Sequence, residues 1–148
     1  MKTLILAGSL VLASLTSLAG PTPKKASPLN YRATQNLYAM YGQLDNVEWR
    51  PSINNMVRAD FEEDGTYYAI FFNEEGEFLA ETKKVERNEL PAQLRRTSSQ
   101  KFKDVTVLEM LELTSEAEHL WFFKTVSDGQ VKIWKGTQSG GIEQFGKK

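Results

Sequence analysis

The chain has 148 residues, 41% hydrophobic and 25% charged, with 18 Lys+Arg against 19 Asp+Glu. That is the size of one ordinary domain or two very small ones, without the basic excess of a nucleic-acid binder or the acidic bias of a disordered tail. Cys is absent and His occurs once, which removes disulfide scaffolds, Cys-rich zinc modules, thiol nucleophiles and most His-based catalytic sets.

Lys2 precedes an apolar run from Leu4 to Leu18, and Ser17-Leu18-Ala19 supplies the small residues that a signal peptidase reads. This pattern predicts a signal peptide over residues 1–19, cleaved after Ala19. The run falls short of the roughly 20 apolar residues that cross a bilayer core, and no Cys is present to carry a lipid. No membrane anchor is therefore expected after cleavage, and the mature chain is expected to be periplasmic or secreted. Loss of Lys2 leaves 17 basic against 19 acidic side chains, a formal charge of −2. Residues 20–29, with Pro21, Pro23, Lys24, Lys25 and Pro28, read as an extended leader.

The folded domain is expected over residues 30–148. Asn30 to Tyr41 reads as a helix stopped by Gly42. Val47–Trp49 is a brief strand. From Met56 to Phe61 the residues alternate, with Val57, Ala59 and Phe61 on one face and Arg58 and Asp60 on the other. Asp64-Gly65 marks a two-residue hairpin turn into the strand Thr66–Phe72, and Asn73–Gly76 turns into a fourth strand, Glu77 to Val85. A second helix is predicted to begin at Glu89, with Pro91 in its first turn, and to run to about Ser99. Strands then return over Asp104–Leu113, His119–Val126, Gln130–Lys135 and Ile142–Phe145, with Asp128-Gly129 as another hairpin tip.

The second half thus repeats the order of the first, as residues 30–86 and 88–145. Leu44–Trp49 parallels Phe102–Val107 at an offset of 58, and Val57–Phe72 parallels Trp121–Gly136 at 64. A loop six residues longer around Thr114–Glu118 would absorb the difference. The expected architecture is α+β: a tandem repeat of helix plus four-stranded antiparallel meander, forming one roughly eight-stranded sheet with the helices on one face.

A sheet covered on one side leaves the other available. Several strands carry aromatics on both faces, so one set is surplus to the core. Arg58, Tyr68, Phe72, Lys83, Trp121, Phe123 and Trp134 are the candidate binding residues of an aromatic platform, a composition enriched at protein interfaces. Open faces of two copies could also pack together, which makes a structural homo-oligomer the alternative; a small-ligand carrier or enzyme is the remote one. No nucleic-acid partner is expected.

Catalytic and metal sites are not expected. His119 lacks a second His or Cys to act with. Glu62-Glu63-Asp64 and Glu74-Glu75-Glu77 lack the alternating ligand spacing of a calcium loop. Thr97-Ser98-Ser99 has no nucleophile elbow, and the Gly136–Gly141 loop does not lead into a helix as a phosphate loop does. No cofactor is implied.

Val47-x-Trp49, Ala59-x-Phe61, Asp64-Gly65, Tyr68-x-Ile70-x-Phe72, Gly76, Leu79 and Leu90-Pro91 together resemble the bacterial PepSY-like family, itself similar in fold to β-lactamase-inhibitory protein. The resemblance spans roughly residues 34 to 145. It implies an exported, non-catalytic module that binds a protein partner, an envelope enzyme, through its sheet in an inhibitory or regulatory way. No inhibitory contact residue carries over onto a matching position. The Lys135–Gly141 segment departs from the pattern, leaving the pairing of the last strand open.

Overall fold

A computed structural model describes residues 31–146. The predicted signal peptide, the leader, the Asn30 cap and the last two lysines lie outside the described residues. The elements are α1 (Tyr31–Tyr41), β1 (Glu48–Pro51), β2 (Val57–Glu63), β3 (Thr66–Phe72), β4 (Phe78–Lys84), α2 (Ala92–Lys101), β5 (Thr106–Ser115), β6 (His119–Ser127), β7 (Gln130–Gly136) and β8 (Ile142–Gln144). The strands form one eight-stranded antiparallel sheet in sequence order, β1 to β8. Two compact units divide the described residues: 31–82 with Ser115–Ala117, and Lys83–Thr114 with 118–146.

In the first unit, α1 buries Ala33 and Leu37 and half-buries Tyr41, an i, i+4, i+8 stripe on one helix face. That stripe meets Ala59, Phe61, Ile70 and Phe72, with Trp49, Val57 and Tyr68 around them. Gly42 ends the helix at φ +77°, and its N–H donates to the Tyr38 carbonyl at 2.8 Å. A residue with a Cβ is strained in that left-handed conformation. At the β2–β3 tip Asp64 and Gly65 take φ +50° and +76°, the twist a two-residue hairpin needs. The next turn is held by the Asn73 carboxamide, whose Oδ1 accepts from the Glu77 N–H at 2.8 Å.

The second unit repeats these solutions. Leu94 and Ser98 are the buried residues of α2. Leu94, with Phe102 just beyond the helix, packs on Trp121 and Phe123, with Met110 and Trp134 alongside. Asp128 and Gly129 again take φ +51° and +73° at a hairpin tip.

Three sequence expectations are corrected. The helix does not begin at Glu89. Arg87–Glu89 form a separate 3-10 turn, closed by Glu89 Oε2 accepting from the Glu86 N–H at 2.6 Å. Leu90 and Pro91 are then extended before α2 starts at Ala92. The pyrrolidine ring disfavours helical geometry in the residue before it.

The added residues of the second copy do not lengthen its loop either. Only Glu116–Glu118 separate β5 from β6, and the extra length extends those strands to 10 and 9 residues against 4 and 7 in β1 and β2. Pairing also shifts the internal equivalence. Trp49 faces Ala59 and Met110 faces Phe123, so Met110, three residues past Val107, occupies the place of Trp49. A bulge between Val107 and Glu109 leaves Leu108 unpaired and half exposed.

Candidate binding surface

The five aromatics expected on an open face lie instead in the cores of their own units. Tyr68 stacks on Phe61 with centroids 5.2 Å apart, and Phe72 is fully buried beside Trp49, both on the face that α1 covers. Trp121 and Phe123 are 3% and 1% exposed, and Trp134 packs with them under α2. These side chains are core, not platform. The Trp134 indole N–H donates to Thr125 Oγ1 at 2.9 Å, so its polar edge is also taken.

Arg58 points to the opposite face, away from α1, and is buried there at 4% exposure. Its Nε donates to Asp60 Oδ1 at 2.5 Å and its NH2 to the Tyr67 hydroxyl at 3.0 Å, and its guanidinium lies 5.7 Å from the Phe71 ring centroid. Arg50 approaches the other carboxylate oxygen at 3.3 Å, as an ion pair without hydrogen-bond geometry, and donates to Glu48 at 2.6 Å. Arg58, Asp60 and Tyr67 lie on one face of β2 and β3, because residues 58 and 60 alternate away from the helix and the register sets Glu62 opposite Tyr67.

Burial is the main cause that pushes the Tyr67 phenol above its ordinary value, with Asp60 adding to it and Arg58 opposing. Arg50 is held more firmly protonated, chiefly by its bond to Glu48. Each charge in this network faces an opposite one, so it fixes strands and leaves no base poised for chemistry. Alternation along β2 had placed Asp60 beside Arg58, but Tyr67 and Arg50 were missed because only strand pairing brings them to that face.

Lys83, the remaining expected residue, donates to Glu112 Oε2 at 3.0 Å, while the other oxygen of Glu112 meets His119 Nε2 at 2.5 Å. The His119 ring lies on Trp121 with centroids 4.3 Å apart. The lone imidazole is thus placed by a carboxylate on one side and an indole on the other. Among the described residues no group of three or more His, Cys, Asp or Glu could hold a metal ion.

On the face of the second unit away from α2, Leu111, Leu113 and Phe122 are buried, and Phe145 meets Phe122 edge-on at 5.5 Å. Toward the β6–β7 tip this face opens. Lys124, Val126 and Ile133 are half-buried, Val131 is 56% exposed, and the register pairs Lys124 with Ile133 and Val126 with Val131. That aliphatic strip with a lysine at its border is one accessible part of the sheet face in this unit. The signal for it was present in the sequence, since Val126, Val131 and Ile133 alternate with polar residues, but the larger aromatics drew the assignment.

No family model and no curated protein matches the chain. Solved structures do. A candidate periplasmic protein of Bacteroides eggerthii aligns with TM-score 0.73 and 16% identity, covering 81% of this chain and 88% of the other. A DUF2874 family protein of Bacteroides uniformis gives 0.70 at 15%, covering 79% and 86%. A BLIP-like protein of Bacteroides fragilis gives 0.67 at 14%, covering 86% and 88%. Among the described residues no helix is long and apolar enough to cross a membrane. The likeness at this identity is one of fold, and the fold of this chain is the BLIP-like one.

Proposed function

We propose that this protein is an exported, non-catalytic binding module of the PepSY-like type, periplasmic or secreted, which holds a protein partner such as an envelope enzyme against its sheet and regulates or inhibits it. The observation that carries the reading is the accessible strip on β6 and β7, Lys124, Val126, Val131 and Ile133, on a BLIP-like fold. One exposed and two half-buried aliphatic side chains in register across two strands, with a cation at their border, suit a protein surface better than a small polar solute. The N-terminal apolar run and the likeness to a candidate periplasmic protein support export. Of the residues first expected to bind, Arg58 ties β2 to β3 and Lys83 pairs with Glu112 of β5, so neither belongs to this surface.

A photo-activated cross-linking residue at Val131, expressed in the native cell, tests this. A discrete adduct from Val131 and none from the same residue at Tyr31, 74% exposed on α1, is expected. Adducts from Tyr31 alone would place the partner on the helix side and overturn the proposal.

A further inference from the structure

Near-neutral net charge hides a strong segregation. Residues 31–82 contain three basic side chains, Arg32, Arg50 and Arg58, against ten acidic ones, whereas residues 83–103 carry seven basic side chains against two acidic ones, Glu86 and Glu89. Both of those glutamates are folded back on the 3-10 turn as its reciprocal cap. Helix α2 itself has no acidic residue in its first turn and no side-chain cap at Pro91. Arg95 and Arg96 follow within its first turn and a half, the end at which the helix dipole already favours anions.

The arginines are arranged as well as concentrated. The Arg87 guanidinium donates to Ser99 Oγ at 3.4 Å and that of Arg95 to the Asn88 carbonyl at 3.3 Å, which ties the 3-10 turn to α2. Arg96 projects from the side of α2 opposite the buried Leu94 and Ser98, and all three arginines are exposed. Lys84, Lys101 and Lys103 are exposed too; Lys101 lies over the Trp134 ring and Lys103 meets Asp104 at 3.7 Å. Cations placed where the helix field prefers an anion are a local conflict that an outside anion resolves, and guanidinium groups match phosphate oxygens in shape.

We propose that the Arg87–Arg95–Arg96 surface docks on an anionic phospholipid bilayer. A bilayer fits better than a soluble phosphate, because one exposed ion pair in water gains little. A charged surface engages every exposed cation at once, at roughly fivefold in partition for each. This interaction is independent of the sheet-face partner, since it uses none of the strip residues.

The test is co-sedimentation of the full chain with vesicles of phosphatidylcholine alone or with 30% phosphatidylglycerol, in about 50 and 500 mM NaCl. The N-terminal apolar run is common to all samples, so the readout is the ratio between the two vesicle types. Preference for phosphatidylglycerol that vanishes at high salt is expected. It should fall roughly a hundredfold in Arg87→Gln/Arg95→Gln/Arg96→Gln, persist in the corresponding triple Lys variant, and be unaffected by Arg32→Gln. Circular dichroism melting of each variant reports whether the fold is retained. Equal binding to both vesicle types, equal binding by the triple Gln variant, competition by millimolar inorganic phosphate at constant ionic strength, or salt-sensitive self-association without vesicle binding would each overturn the proposal.

Discussion

Asp60 holds two arginines from neighbouring strands, and its removal leaves the buried Arg58 guanidinium without the carboxylate it donates to. Asp60→Ala is expected to destabilise the protein by about 3 kcal/mol in urea unfolding, the scale of breaking a buried pair from one side. Arg50→Gln, whose side chain is 28% exposed, should cost about 1 kcal/mol or less. Two tyrosines are expected to weaken the fold in alkali. Burial first, and then the hydrogen bond to Glu81, push the Tyr41 phenol well above 10.0, and burial raises Tyr67 in the same direction. A group whose folded pKa lies above its unfolded one contributes fully below the unfolded value, and that contribution is lost as pH rises past it. Urea midpoints should therefore fall as pH passes 10, and fall less in Tyr41→Phe. At this scale the sequence showed Arg58 and Asp60 on one face of a strand, because alternation is local. It could not show Arg50 or Tyr67 joining them, because that depends on register.

Turns were the most legible elements. Asp64-Gly65 and Asp128-Gly129 adopt the positive φ that their chemistry announces. Gly65 has open space around a would-be Cβ, so Gly65→Ala should cost only its backbone strain, about 1 kcal/mol. Gly136 is different. A Cβ there would sit 2.9 Å from Leu94 Cδ1 and 3.0 Å from Phe123 Cε2, so Gly136→Ala should cost about 1–3 kcal/mol by overpacking α2 against β7. Thermal melts of the two variants separate the causes: a second substitution, Leu94→Val, should relieve part of the Gly136→Ala defect and none of the Gly65→Ala defect. Strands were found close to their bounds, but their exposure was not legible. Phe71 and Phe72, adjacent and pointing to opposite faces, are both fully buried, as are Phe122 and Phe123 at 1% each. When both faces of a strand are apolar, alternation sorts residues into two sets and is silent on which set meets solvent. Volume then misleads, because large aromatics look surplus when they are filling a core.

Across the molecule, the repeated order of helix and four strands was readable because each copy carries its own stop signals: Gly42, the paired hairpin tips, and Pro91 before α2. The offset between copies was misread because the bulge at Leu108 and the longer β5–β6 ladder shift pairing without leaving a turn signature. Composition also misled at this scale, since a chain of formal charge −1 divides into an acidic stretch and a basic one. On the proposed function, a protein partner meets the sheet at β6–β7 and not the aromatics beneath the helices. The most direct measurement is the affinity of the cross-linked partner, once purified, for Val131→Asp and for Tyr38→Asp, a half-exposed site on α1. A tenfold or greater loss for Val131→Asp with Tyr38→Asp unchanged is the predicted result. Unchanged affinity in Val131→Asp, or a loss confined to Tyr38→Asp, would contradict it.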